Sequence, residues 1–135
     1  MPEQVLKGEE KVSKEEMQEA RKVVKLALIR IGIRCDLVGF GYLCTAVEYV
    51  INDPEKMKNL CKGLYREVAK ANRVEKVGNI ERSIRHAIDN TYVSKSFTEL
   101  NKMFKTMLYT IDDKPTAGEL IRLVSEWYLL GLYKE

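Results

Sequence analysis

Side chains that donate and accept hydrogen bonds in pairs are concentrated in the run N-I-E-R-S-I-R-H, residues 79–86. Arginine can donate two hydrogen bonds to O6 and N7 of guanine, and glutamate can accept one from the N4 amino group of cytosine. At 100° per residue, Arg82 and Arg85 share one outward side of a helix, with Glu81 and His86 beside them. Because phosphates repel an isolated glutamate, this row suggests base reading rather than simple charge attraction. The residues predicted to read bases are Asn79, Glu81, Arg82 and Arg85.

A second group of side chains, earlier in the chain, is basic. Its first four members follow one another at spacings of four, four and three residues, so they form a stripe along one helical face. Basic side chains next to a base-reading row suit contacts with phosphate, which fix the register of a protein on a duplex. The residues predicted to contact phosphate are Lys62, Arg66, Lys70, Arg73, Lys76 and His86.

The same charges have a simpler explanation, which the residues alone leave open. Charged side chains opposite an apolar stripe are the default for a surface helix. Glu81 and Arg85, four residues apart, can also pair with each other for a few tenths of a kcal/mol. In that case the row is a solvated face and reads nothing.

Enzyme chemistry is not indicated. His86 is the only histidine, and no partner orients it as a general base. The G-F-G at residues 39–41 lacks the further glycine and the lysine of a phosphate loop, and we interpret it as a connection before a helix. Cys35, Cys44 and Cys61 are odd in number and form no C-x-x-C pair, which predicts reduced, buried thiols rather than disulfides or zinc ligands. We expect no cofactor and no metal.

Helices are the elements that position these side chains. Ser13 with Glu16 and Thr116 with Glu119 are capping boxes, and each marks a helix start. No alternating strand pattern is present, so the fold class predicted is all-α. About six helices are expected, at about 14–31, 40–51, 54–72, 78–91, 97–107 and 117–132. The third and fourth of these, with a short break between them, match a central helix-turn-helix, whose second helix (about 78–91) would enter the major groove.

The last predicted helix is apolar nearly all round. Packing in the core accounts for half of this surface, and a subunit or another protein would cover the rest. The residues predicted for this partner surface are Trp127, Tyr128 and Leu130.

Length and composition fit one soluble domain. The chain has 135 residues, 45% of them hydrophobic and 32% charged, and its formal charge of +3 permits an anionic partner without requiring one. Residues 1–12 are polar and predict a flexible tail or linker remnant, followed by one domain at 13–135. No apolar run spans a bilayer and the N-terminus is charged, so we expect a cytoplasmic protein that does not enter membranes.

Several motifs together resemble the C-terminal DNA-binding domain of the stage zero sporulation protein A family, the master response regulators of sporulation. The resemblance extends from about residue 17 to 133 and is carried by five runs. These are R-I-G-I (30–33), G-F-G-Y-L (39–43), L-Y-R-E-V-A-K (64–70), I-E-R-S-I-R-H-A-I (80–88) and K-P-T-A-G-E-L-I (114–121).

This resemblance implies a six-helix, helix-turn-helix regulator of transcription that binds short DNA boxes with a TGTCGAA-like core. It also implies a possible homodimer on tandem sites, and in some members contact with a sigma factor of RNA polymerase. Glu81 and Arg82 match the base-reading pair of the family, and Arg85 and His86 match the next helical turn. The receiver domain of the full-length regulators has no room here, so we expect a fragment or a stand-alone paralogue.

Two departures from the family pattern motivate a rival hypothesis. Asp36 lies where the family has basic residues and would repel phosphate, and Gly78-Asn79 replaces a Ser-Arg pair before the recognition run. The rival is a protein-interaction module that has lost competent DNA binding and pairs with the full-length regulator or a sigma factor.

Overall fold

The computed structural model describes residues 13–135, and the predicted tail at 1–12 lies outside the described part. The all-α prediction is confirmed, and no strand occurs among residues 13–135. No helix in this range is both long and apolar enough to cross a membrane. The described residues form six α-helices: α1 (Lys14–Ile31), α2 (Val38–Asn52), α3 (Tyr65–Ala71), α4 (Val77–Ser94), α5 (Glu99–Phe104) and α6 (Ala117–Leu129).

Both predicted capping boxes are confirmed at the starts of α1 and α6. The Ser13 hydroxyl accepts from the Glu16 N–H at 3.1 Å, and the Glu16 carboxylate accepts from the Ser13 N–H at 2.9 Å. Thr116 and Glu119 exchange the equivalent bonds at 3.1 and 3.0 Å. Each box satisfies two N–H groups that a helix start would otherwise leave without partners.

The predicted continuous helix at 54–72 is wrong. Asp53 caps only a short 3₁₀ turn, Pro54–Lys58. Asn59 then adopts φ −144° and ψ 88°, and its side chain accepts from the Lys62 N–H at 3.2 Å. A new helix starts at the next residue, with one π turn that continues into α3. Asparagine offers the backbone such a local alternative to helical hydrogen bonding, which explains the position of the break.

The interpretation of G-F-G at 39–41 as a connection is also wrong, because α2 begins at Val38 and contains both glycines. Gly39 lies where α2 crosses α4. A Cβ atom added there would be 2.2 Å from the carbonyl oxygen of Ser83 and 3.0 Å from the Cβ of Ala87. The two helices can approach this closely only because position 39 has no side chain.

The core is centred on α2, which packs against α1, α4 and α6. The predicted inward face of α4 is confirmed, since its apolar side chains are at most 2% exposed. Burying them fixes the rotation of the helix, so its polar side must face outward. These inward residues are Ile80, Ile84, Ala87 and Ile88.

The fifth helix is shorter than the predicted 97–107. Lys105 follows α5 in the left-handed conformation, with φ 56°, and ends the helix. The Asn101 carboxamide then holds the next segment, because its oxygen accepts from the N–H groups of Leu108 and Tyr109 at 2.7 and 2.9 Å. A side chain that replaces helical partners in this way is invisible to hydrophobic periodicity.

The C-terminal turn folds back on α6. Gly131, with φ 76°, reverses the chain soon after α6 ends, so the predicted extension of this helix to residue 132 is wrong. Tyr133 returns to stack on Tyr128 with ring centroids 4.8 Å apart, and it meets Trp127 edge to face at 6.1 Å. Such aromatic pairs add about 0.5–1.5 kcal/mol each beyond the area they bury.

Only one of the three thiols is buried as predicted. Cys44 lies in α2, and burial raises the pKa of its thiol to about 12, so it is protonated and inert. Cys35 and Cys61 are exposed, because one lies in the connection between α1 and α2 and the other in the π turn before α3.

Candidate nucleic-acid interface

A helix-turn-helix is formed by α3, the turn at 72–76 and α4, which packs on α3. The turn closes α3 with two reverse hydrogen bonds, from the Val74 N–H to the Ala69 carbonyl at 2.8 Å and from the Arg73 N–H to the Lys70 carbonyl at 3.2 Å. This Schellman pattern places Arg73 in the left-handed conformation, with φ 58°, where glycine is the usual residue.

The outward face of α4 brings the four predicted base-reading residues together in two pairs. Arg82 Nη1 donates to the Asn79 side-chain oxygen at 2.8 Å. Arg85 Nη1 donates to both carboxylate oxygens of Glu81, at 2.7 and 2.8 Å. Each arginine is therefore held by a residue one turn earlier on the same helix.

These contacts bear on both explanations of the row. The ion pair expected for a solvated face is present. Each guanidinium nevertheless uses only Nη1, and its other nitrogens have no protein partner among residues 13–135. A held arginine with free donors can present them to a planar acceptor edge, and part of its side-chain entropy is already lost before any ligand binds.

The residues predicted to contact phosphate are exposed, and none makes an ion pair with a described residue. By contrast, several partly buried acids are paired with arginines elsewhere in the fold, as in Arg21–Glu48 and Arg30–Glu99. The residues predicted to contact phosphate lie in the π turn before α3, in α3, in the turn after it and in α4. They are Lys62, Arg66, Lys70, Arg73, Lys76 and His86.

An open hollow of about 500 Å³ lies beside the base-reading row, between α4 and the connection that precedes α2. Arg82 and His86 line it from α4, and Asp36 lines it from the connection. Asp36 is not alone there, because Arg34 grips it through Nε at 3.0 Å and Nη2 at 2.6 Å. The hydrogen bonds from Arg34 lower the pKa of the Asp36 carboxyl, so this group is charged at neutral pH.

Arg34 is the residue at this site that the sequence pattern did not single out. The sequence does contain a signal for it, because an arginine two residues before an aspartate in a short connection can form an ion pair with it. Helical spacing rules do not cover such a pair because it lies outside any helix.

The far end of α4 is tied to the segment before α6. Lys114 Nζ contacts the Asp89 carboxylate at 2.5 Å, and the Tyr92 hydroxyl donates to the Asp112 carbonyl at 2.8 Å. Asp89 closes the outward row on the side away from the turn. Lys114 therefore offsets part of the negative charge of Asp89 at this end of the row.

Of the three residues predicted for the partner surface, one is buried, one is half-buried and one is exposed. Trp127 is only 7% exposed and belongs to the core, so it offers no surface to a partner. Tyr128 is half-buried under Tyr133. Leu130 is 64% exposed, and Leu129 beside it is 44% exposed, so the apolar surface at this end consists of leucines.

No group of three or more metal-ligating side chains occurs within residues 13–135. A family model described as "Sporulation initiation factor Spo0A C terminal" matches residues 24–127, well over half of the chain. The matched region contains α2 to α5 complete and includes the turn, both pairs on α4 and the Arg34–Asp36 contact.

Proposed function

This chain belongs to the family of sporulation initiation factor Spo0A C-terminal domains, DNA-binding effector domains of sporulation regulators, and on that premise we propose that it reads the sequence of double-stranded DNA with α4 in the major groove. The observation that supports the proposal best is the outward face of α4. Two arginines there are each held by a neighbour and keep free donors, and the residues predicted to contact phosphate are exposed in and beside the same helix-turn-helix.

Each residue of the row has a role in this proposal. Arg82 and Arg85 donate to guanine O6 and N7, and Glu81 accepts from cytosine N4 while it holds Arg85. Asn79 holds Arg82 and contributes the first polar group that α4 presents to the groove. The pairs keep both guanidinium planes in position, as two hydrogen bonds to one base edge require.

The residues predicted to contact phosphate supply affinity without sequence preference. Lys62, Arg66 and Lys70 follow the backbone on one side of the groove, and Arg73 and Lys76 approach it from the turn. His86 contacts phosphate from α4. Each such contact releases counterions, so every one that is lost should reduce the slope of log K against log salt by about 0.9.

Selection of bound duplexes from a random pool tests the proposal directly. The wild-type protein should enrich one short box, and Arg82→Ala should lose preference at one base pair, with a cost of about 1–3 kcal/mol at that box. Arg122→Ala, an exposed arginine on α6, is the matched control and should enrich the wild-type box. Equal binding of every duplex by the wild type would rule out sequence reading.

Assembly on DNA is part of the same proposal. We expect two copies to bind adjacent boxes as a homodimer on tandem sites, in the cytoplasm, and a sigma factor of RNA polymerase to contact the bound protein. Footprinting on paired and single boxes distinguishes these states. Cooperative protection of paired boxes is the expected result, and equal affinity for single and paired boxes would argue for a monomer.

The exposed leucines at the C-terminal end of α6 favour a second candidate function, a protein-interaction module. In this version Leu129 and Leu130 pack on a full-length regulator or a sigma factor, and the α4 row remains solvated. Failure to bind any duplex at low salt, together with capture of a purified sigma factor that Leu130→Asp abolishes, would favour this candidate over DNA reading.

A further inference from the structure

We propose that Asp36 is a built-in competitor of DNA phosphate: it holds Arg34 in an internal ion pair and so lowers affinity for duplexes of any sequence, which raises selectivity. The inference rests on the proposed function, because it concerns a duplex lying against α4. It assigns a role to two residues outside the base-reading and phosphate-contacting sets.

Position is the first support. Asp36 lines the same hollow as Arg82 and His86, two exposed residues of α4. A duplex in contact with α4 would bring its phosphates along the edge of this hollow. A carboxylate at that edge repels the phosphates. It should weaken the contacts of Arg82 and Arg85 with base edges inside the groove less.

The geometry of the pair is the second support. Arg34 faces the carboxylate with two nitrogens, Nε on one oxygen and Nη2 on the other. Guanidinium binds phosphate in this same two-pronged manner. Asp36 therefore occupies the donors that a phosphate would need, and the two anions compete for one cation.

Exposure is the third support, because it makes the competition reversible. The side chains of Arg34 and Asp36 are 58% and 62% exposed, so the pair can open without disturbing the core. No other charged side chain of residues 13–135 forms an ion pair with either of them. Removing the charge of Asp36 should thus release Arg34 to solvent or to DNA.

The experiment measures the affinity of random and selected duplexes across a salt series for wild type and Asp36→Asn, which keeps the shape and removes the charge. We expect Asp36→Asn to bind random duplex about three- to tenfold more tightly at low salt, with a slope steeper by about 0.9. Affinity for the selected box should rise less, so the ratio of specific to random binding should fall.

Two further variants separate Asp36 from general charge effects. Glu135→Gln also removes one negative charge from an exposed ion pair, with Lys105, and should leave both slopes unchanged. Arg34→Gln/Asp36→Asn should return the slope to its wild-type value, because the released cation is gone. An Asp36→Asn protein indistinguishable from Glu135→Gln, or a double variant that keeps the steeper slope, would overturn the inference.

Failure of the proposed function gives a different pattern. If wild type binds random and selected duplexes equally but Asp36→Asn still steepens the slope, sequence reading is wrong and the competition stands. If neither protein binds DNA at low salt, both are wrong.

Discussion

Each arginine on the outward face of α4 is held through Nη1 by a residue of the same helix, Arg82 by Asn79 and Arg85 by Glu81. This arrangement depends on the planar guanidinium, which can satisfy a neighbour with one nitrogen and present others. A lysine offers a point charge on a flexible stem and cannot do both in a fixed direction. The chemistry of the face is therefore set by side-chain shape as much as by charge.

Arg85→Lys tests this at the residue scale. The charge is kept, so binding to random duplex should change less than twofold, whereas affinity for the selected box should fall by about 1–3 kcal/mol. Competition between selected and random duplex measures the difference. Arg122→Lys on α6 is the control, and an equal loss on both duplexes would mean that Arg85 contacts phosphate only.

At the scale of elements, the helix-turn-helix contains a local conflict. Arg73 adopts a left-handed backbone that costs a residue with a side chain more than it costs glycine. Lys105 occupies the same conformation after α5, at a distance from the turn in sequence and in function. Arg73 and Lys105 therefore have the same backbone strain, and of the two only Arg73 has a proposed DNA contact.

Arg73→Gly should raise the free energy of unfolding by a few tenths to about 1 kcal/mol, because strain is relieved, yet weaken binding to all duplexes and flatten the salt slope. Lys105→Gly should raise stability similarly and leave DNA binding unchanged. Urea denaturation followed by circular dichroism, with a salt series on one duplex, measures both. Unaltered binding by Arg73→Gly would remove this residue from the interface.

The crossing of α2 and α4 is the second element-scale feature, and Gly39→Ala tests it. The new Cβ would meet the Ser83 carbonyl, so the helices must separate and unfolding should cost about 1–3 kcal/mol less. Gly41→Ala is the control, since nothing lies within 4 Å of its Cβ, and it should stabilise α2 by roughly 0.5–1 kcal/mol. Similar effects at both positions would argue against close contact.

At the scale of the whole molecule, ion pairs connect parts that are distant in sequence. Arg30 in the last turn of α1 contacts Glu99 at the start of α5 at 2.6 Å. The hydrogen bond from Arg30 lowers the pKa of the Glu99 carboxyl below its usual value. The stabilisation is therefore complete above the pKa of an unfolded glutamate and is lost as the pH falls through the lower folded pKa.

Glu99→Gln should accordingly destabilise the domain at neutral pH by at most about 1 kcal/mol, because the pair is partly exposed and screened. The difference from wild type should shrink as the solution is acidified below the ordinary glutamate pKa. Denaturation across a pH series checks this. Glu126→Gln, an exposed acid without an ion pair among the described residues, should show no such trend, and a difference that stays constant with pH would contradict the assignment.

Whether a feature could be predicted from the sequence depends on how far apart in the chain its interacting residues lie. The capping boxes and the buried face of α4 depend on residues three or four apart, and these predictions are confirmed. The break at Asn59 depends on a hydrogen bond from the Lys62 N–H to the Asn59 side chain. The close approach of α2 and α4 at the G-F-G run depends on a contact with Ser83, which is distant in sequence. The grip of Arg34 on Asp36 lies in a connection, where no periodicity applies.

The candidate site follows the same division. Helical spacing was enough to place the four outward residues of α4 on one face, and their mutual contacts follow from spacings of three and four. The prediction that Trp127 lies on a partner surface is wrong because the sequence of a helix that is apolar all round does not reveal which side is covered. Trp127 belongs to the core, and Tyr133 adds an edge-to-face contact after Gly131 turns the chain.

The position of Trp127 has an optical consequence. It is the only tryptophan of the chain, it is almost fully covered, and it touches the C-terminal turn rather than the outward face of α4. Its fluorescence should therefore shift to longer wavelength when the core opens and remain steady when a duplex binds. A single sample can then be followed in two ways: tryptophan emission measures unfolding, and the fluorescence of a labelled duplex measures binding.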